Sequence, residues 1–242
     1  MQTITTQAGA TVSFTDNGDG PPIILLHGIQ GTARTWDNII SALSGTYRVI
    51  APNLRGRSAS SIPRESSDYR LSFFAADLQA VLNWIGQPAV LVAWSMGVSV
   101  TLEMIRTYGD CGLRGLVLVS GTPYAGDEAR WFHGKTEAEV ADEARERGKR
   151  LSLVEAAEPF AVAASWQNVK KEDFRPILPL LKIPVLVIHG VDDDQSPISH
   201  GRRLAEYITG ARLVEWSNTG HNPMATDAPR FATEIRSFVE NL

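Results

Sequence analysis

Residues 89–104 constrain this chain more than any other stretch. They read A-V-L-V-A-W-S-M-G-V-S-V-T-L-E-M. The apolar run 89–93 predicts a buried strand, and Val98, Leu102 and Ile105 follow it at helical spacing. A strand that turns straight into a helix leaves little room at the bend, so the residues flanking its centre must be small, as Ala93 and Gly97 are. Ser95, at that centre, is forced into a tight, strained conformation with its side chain projecting from the top of the turn. The helix directs its N-terminal N–H groups toward the same point. This is the pattern of a nucleophile elbow, usually written G-x-S-x-G. A buried strand that merely ends in Ser-Met-Gly is the competing reading, and the rest of the chain has to decide between the two.

Short apolar runs alternate with helical patterns along most of the sequence. Residues 3–8 and 11–15 read as two short strands joined at Gly9, the second alternating as an exposed antiparallel edge should. Runs 23–26, 47–51, 116–119, 185–188 and 212–216 read as further strands, which with 89–93 makes eight. Helices are expected over 36–43, 71–85, 199–208 and after Asp227. Phe74, Leu78, Val81, Leu82 and Ile85 share one face of the second, and Phe231, Ile235, Phe238 and Val239 one face of the last. From 122 to 182 the strand signal stops. Thr136-x-x-Glu139 and Ser152-x-x-Glu155 are capping-box signatures that predict helices over 137–147 and 153–166, the second kinked at Pro159. The expected architecture is α/β: a mostly parallel, eight-stranded sheet with helices on both faces, formed by 1–121 and 183–242, with a short helical cap at 122–182.

Composition removes several classes of function. The chain has 242 residues, 43% of them apolar, and a net charge of −4. There is no basic block, so nucleic acid is not an expected partner. No apolar run approaches the length of a membrane span, and the first residues lack the basic start and apolar core of a signal peptide. Cys111 is the single cysteine and has no partner for an internal disulfide, which fits a reducing cytoplasm. A cytoplasmic protein is therefore expected. Whether it is a monomer or a homo-oligomer stays open.

Every candidate for chemistry falls just after a strand. Ser95 follows 89–93, the cluster Asp192-Asp193-Asp194 follows 185–188, and His221 follows 212–216. The carboxyl ends of parallel strands gather on one rim of the sheet, where ligands bind. A serine hydroxyl is a poor nucleophile at neutral pH. It needs an imidazole to take its proton, and that imidazole needs a carboxylate to fix its tautomer.

The segments H-G-I-Q-G, N-L-R-G-R-S-A-S, A-W-S-M-G, I-P-V-L-V-I-H-G-V-D-D-D-Q-S-P and G-H-N-P extend over most of the chain. On them the sequence resembles the α/β-hydrolase superfamily. It is most similar to the small bacterial hydrolases around the pimeloyl-carrier-protein methyl esterases, the arylesterases and the haloperoxidase-like perhydrolases. The resemblance implies Ser95 as nucleophile, His221 as general base and Asp193, three residues after Gly190, as the acid. Asp192 and Asp194 are the alternatives to Asp193. It implies the backbone N–H groups of Met96 and Ile29 as the oxyanion hole. His27 and His189 are expected to be structural, and His133 and His200 to lie at the surface. Ile29, Trp94, Met96, Trp131, Phe132, Phe160, Trp166 and Met224 are the candidate walls of a fairly small, apolar pocket. The implied activity is cleavage of a carboxylic ester of a small-molecule substrate through an acyl-enzyme, with neither cofactor nor metal. C–C bond hydrolysis, lactone hydrolysis, a cofactor-free lyase or dioxygenase reaction and a hydrolase-like small-ligand receptor are the competing readings. The sequence departs from the family pattern at three positions: Ala93 replaces the first elbow glycine, Asn53 stands where Asp is common, and Ser58 where glycine is usual.

Overall fold

A computed structural model describes residues 1–126, 128–150, 153 and 155–242. Eight strands form one sheet: β1 (Gln2–Thr5), β2 (Thr11–Asn17), β3 (Pro22–Leu26), β4 (Arg48–Pro52), β5 (Ala89–Trp94), β6 (Leu113–Val119), β7 (Val185–Gly190) and β8 (Arg212–Trp216). Their spatial order is β1-β2-β4-β3-β5-β6-β7-β8. The first two strands pair antiparallel and all pairings from β4–β3 onward are parallel. The helices are α1 (Asp37–Leu43), α2 (Leu71–Ile85), α3 (Met96–Tyr108), α4 (Glu137–Arg150), α5 (Pro159–Val169), α6 (Ile198–Tyr207), α7 (Pro223–Thr226) and α8 (Ala228–Glu240).

Strands β3 and β5, at the centre, are apolar at every position because both faces of the sheet are covered. In β3, Ile24 and Leu26 enter one core with the inward faces of α2 and α3, while Ile23 and Leu25 enter a second core with α1 and α8. The segment between β6 and β7 carries α4 and α5 and, among its described residues, no strand. Helix α4 is largely solvated; only Val140 and Ala144 are fully buried, toward α5 and the larger core. Its capping box forms as expected: Glu139 N–H donates to Thr136 Oγ1 at 3.2 Å and Thr136 N–H to Glu139 Oε2 at 3.0 Å. No helix among the described residues is long and apolar enough to cross a membrane.

Several elements differ from expectation at their ends. Strand β1 stops at Thr5 rather than at residue 8, because a tight turn starts at Thr6, whose N–H donates to Ala10 O at 2.8 Å, with Gly9 at φ +79°. Helix α4 runs on through Gly148 to Arg150. Helix α5 starts at Pro159 instead of being kinked there. Proline suits a first helical position, since the N–H it lacks would have no intrahelical acceptor. The second capping box involves Ser152, which lies outside the described residues.

Candidate active site

The turn between β5 and α3 has the strain its sequence implies. Ser95 sits at φ 56°, ψ −120°, held by its N–H to Val119 O (2.9 Å) on β6 and by Val98 N–H donating to its own carbonyl (2.9 Å). The small neighbours have steric causes. A Cβ on Gly97 would come within 2.8 Å of Leu26 O and 3.0 Å of His27 O, so α3 can start against the end of β3 only with glycine there. Ala93, where a first glycine is usual, buries its methyl group in the larger core without conflict.

Three strand ends deliver the expected side chains to one another. His221 Nε2 lies 2.9 Å from Ser95 Oγ, and His221 Nδ1 lies 2.9 and 3.0 Å from the two carboxylate oxygens of Asp193. Asp193 accepts two further hydrogen bonds, from the N–H groups of Gln195 and Ser196, both at 2.9 Å. With Asp193 ionised, Nδ1 carries the imidazole proton and Nε2 is left as the acceptor facing the serine. Burial pushes the Asp193 carboxyl up, but hydrogen bonds from His189 and His221 and from the Ser196 backbone outweigh it and hold the group well below the usual carboxylate range. Asp192 and Asp194 are exposed. The His221 loop crosses the end of β7 so closely that a Cβ on Gly190 would fall 2.2 Å from Thr219 O, and Asp192 N–H donates to that same carbonyl at 2.9 Å. One glycine thus lets the acid loop and the histidine loop lie against each other.

Two backbone N–H groups flank the serine. Met96 opens α3, so its N–H has no acceptor one turn earlier. Ile29 follows Gly28, and a Cβ on Gly28 would lie 3.1 Å from Ser95 Cβ. Among the described residues neither N–H donates a hydrogen bond. His27 sets the direction of the second. Its Nε2 accepts from Leu54 N–H at 3.1 Å, so its Nδ1–H donates to Gly28 O at 2.7 Å. Because the peptide is trans, anchoring Gly28 O on one side turns the Ile29 N–H to the other. Burial, and then the charge of Arg57, holds the His27 pKa down at about 3, so the ring is neutral. His27 is therefore structural, as is His189, whose Nε2 lies 2.7 Å from Ser196 O. His133 is exposed, as expected. His200 is not at the surface: it is fully buried, hydrogen-bonded to Thr122 through Nδ1, with Nε2 3.4 Å from Glu128. Its place at the start of α6 turns it inward beneath the segment after β6.

A cavity of about 560 Å³ opens beside His221. Of the candidate walls, Trp94 lines it, and its indole N–H also donates to His221 O at 2.8 Å. Ile29 and Met96 lie beside Ser95 without lining this cavity, and the other five proposed walls lie elsewhere. Trp131 and Phe132 pack on Trp166 with ring centroids 5.2 and 6.2 Å away, fastening the segment after β6 to α5. Phe160 sits edge-on to Tyr69 at 5.9 Å, and Met224 is buried in the smaller core. Trp131, Phe132, Phe160 and Trp166 are thus taken up in packing around α5, and the cavity carries polar side chains as well as apolar surface, among them Gln30, Arg147, Asp194 and Gln195. Sequence reasoning missed Arg147, because a charged helix reads as a solvated face. Among the described residues no group of three or more His, Cys, Asp or Glu side chains is placed to hold a metal ion.

Comparison with known proteins identifies the family and the fold. The model of the Alpha/beta hydrolase family matches residues 23–234. The chain is similar to the AB hydrolase superfamily protein YisY of Bacillus subtilis (strain 168), 25% identical over 97% of each chain. It is similar to the pimeloyl-[acyl-carrier protein] methyl ester esterase of Vibrio vulnificus (strain CMCP6), 24% identical over 91% of this chain and 95% of that one. Among solved structures, an esterase from Rhodococcus sp. ECU1013 superimposes with a TM-score of 0.81 at 26% identity, covering 100% of this chain and 98% of the other.

Proposed function

The chain belongs to the Alpha/beta hydrolase family, and on that premise we propose that it is a serine hydrolase cleaving carboxylic esters of small molecules through an acyl-enzyme. One observation carries the proposal: Ser95 Oγ, His221 and Asp193 form a continuous hydrogen-bonded line with contacts of 2.9 Å on both sides of the imidazole. In this reading Ser95 Oγ attacks the ester carbonyl carbon as its proton passes to His221 Nε2. Asp193 stabilises the resulting imidazolium without taking the proton. The carbonyl oxygen, now an anion, is met by the N–H groups of Met96 and Ile29, worth about 3 kcal/mol for each such donor. The C–O bond to the leaving alcohol breaks as that oxygen takes the proton back from Nε2. Water then repeats the sequence on the acyl-serine, releasing the acid and restoring the hydroxyl. The esterases among its relatives support the type of bond.

The test is a panel of short-chain p-nitrophenyl esters together with fluorophosphonate labelling. Turnover and labelling are expected in the wild type and absent in Ser95→Ala, with the phosphonyl adduct found on the Ser95 peptide by mass spectrometry. Turnover retained in Ser95→Ala would refute the proposal.

A further inference from the structure

The cavity beside His221 holds a cation that the hydrolytic reading does not use. Arg147, near the end of α4, lines this cavity and also the adjoining depression of about 700 Å³ over the cap. Its guanidinium donates to Gln195 Oε1 at 2.5 Å and to Trp131 O at 3.3 Å. Among the described residues it has no carboxylate within ion-pair distance, and neither have Arg130 and Arg150 on the adjoining depression. The nearby acids are engaged elsewhere. Glu143 accepts from the His133 and Gly134 N–H groups at 2.9 and 3.1 Å, and Glu146 pairs with Lys149 at 2.8 Å. Among the described residues Asp194 is the one acid that lines the cavity itself. Arg147 is half-buried and crossed by the Phe132 ring 5.7 Å away. Burial, then the neighbouring Arg150 charge, pushes its pKa down, with Asp194 and Glu143 opposing. A partly desolvated guanidinium without a counter-ion, at the wall of the cavity that meets the proposed base, is a ready receptor for a planar anion.

We infer that Arg147 recognises a free carboxylate on the substrate, so that the preferred substrates are esters carrying a second, ionised carboxyl group. The inference rests on the esterase reading and narrows its substrate class. Arg147 acts as a specificity residue on the wall of the cavity, and the two hydrogen bonds to Gln195 and Trp131 hold its fork in place. Asp194 works against it, since a carboxylate on the same wall repels the anion.

The experiment compares monoethyl adipate with ethyl hexanoate, which has the same acyl chain with a methyl group in place of the carboxylate. In a pH-stat assay kcat/KM is expected to favour the half-ester by about 10- to 100-fold, the range for one charge-assisted hydrogen bond. The preference should reside in KM and shrink with added salt. The ratio should collapse in Arg147→Met, persist in part in Arg147→Lys, and rise in Asp194→Asn. A salt response separates recognition from a merely structural role for the arginine. Should Arg147→Met fail to fold, adipate dianion protecting wild-type Ser95 against fluorophosphonate supports the same conclusion. Labelling that proceeds undiminished in millimolar adipate, or a wild-type ratio near one, overturns the inference while leaving the esterase intact. Absence of labelling altogether would instead sink the esterase reading.

Discussion

Replacing Ser95 by glycine should make the protein more stable than replacing it by alanine, the reverse of the usual order. Both variants lose Oγ and its 2.9 Å contact with His221, so that loss cancels between them. They differ by one methyl group on a residue held at φ 56°, ψ −120°. A non-glycine residue in so sparsely populated a region carries about 1–3 kcal/mol of strain, which alanine keeps and glycine sheds. Glycine returns about 0.5–1 kcal/mol through the greater entropy of its unfolded chain. The balance favours Ser95→Gly over Ser95→Ala by roughly 1 kcal/mol, which for a domain of this size corresponds to about 2–4 °C in Tm. Calorimetry on the two variants measures it, with Ala138→Gly, exposed in the first turn of α4, as the internal control, expected to lower stability by less than the ~1 kcal/mol of a helix interior. Should Ser95→Gly melt below Ser95→Ala by a similar margin, the elbow is not strained and the account of why it presents its side chain is wrong.

Acid should destabilise the fold through His27, whose folded pKa of about 3 lies below the unfolded value of about 6.5. The unfolded state therefore binds the extra proton first, and stability is lost as pH falls from about 6.5 toward 3, by roughly 2 kcal/mol at pH 5. Urea midpoints at pH 7 and pH 5 should drop further in the wild type than in His27→Gln, and equal drops would refute this. Ser58, at φ 50° where the family pattern has glycine, should gain about 0.5–1 kcal/mol on substitution to glycine, read as a rise in Tm, with no rise refuting the strain.

The parts of the site that were legible in the sequence are those fixed by local rules. Ser95 lies between a strand and a helix, and Asp193 and His221 come directly after strands. Parallel pairing is enough to bring three such ends to one rim, whatever the distance between them in sequence. The pocket walls obey no such rule. Trp131 and Trp166 were placed around the substrate because large apolar groups near a site suggest contact, yet each found the other first across the cap, at 5.2 Å. Trp94 was expected as a wall, but its bond to His221 O spans 127 positions and no spacing announces it. His200 is buried against expectation, and Arg147 escapes sequence reasoning, for one common reason. A charged or polar residue on a short amphipathic helix reads as solvated, and only the neighbouring segments decide whether it faces water, a cavity or the core.

The selection of Asp193 among three consecutive acids shows how such decisions are made. Side-chain chemistry cannot separate residues 192, 193 and 194, since all are aspartates. The backbone separates them. The chain leaves β7 at Gly190 beneath the Thr219 carbonyl, and Asp192 N–H is bound to that carbonyl, which fixes the loop against the His221 segment. The loop then turns so that the N–H groups of Gln195 and Ser196 point back at the carboxylate two and three residues earlier, a local arrangement in which a short acid satisfies backbone donors. Position 193 alone has both donors and the imidazole within reach, and it alone of the three is buried. Its neighbours are left to water, one of them on the cavity wall opposite in sign to Arg147. The triplet is thus divided by hydrogen-bond accounting into a buried anion that orients His221 and a cavity-wall anion that tunes what may approach it.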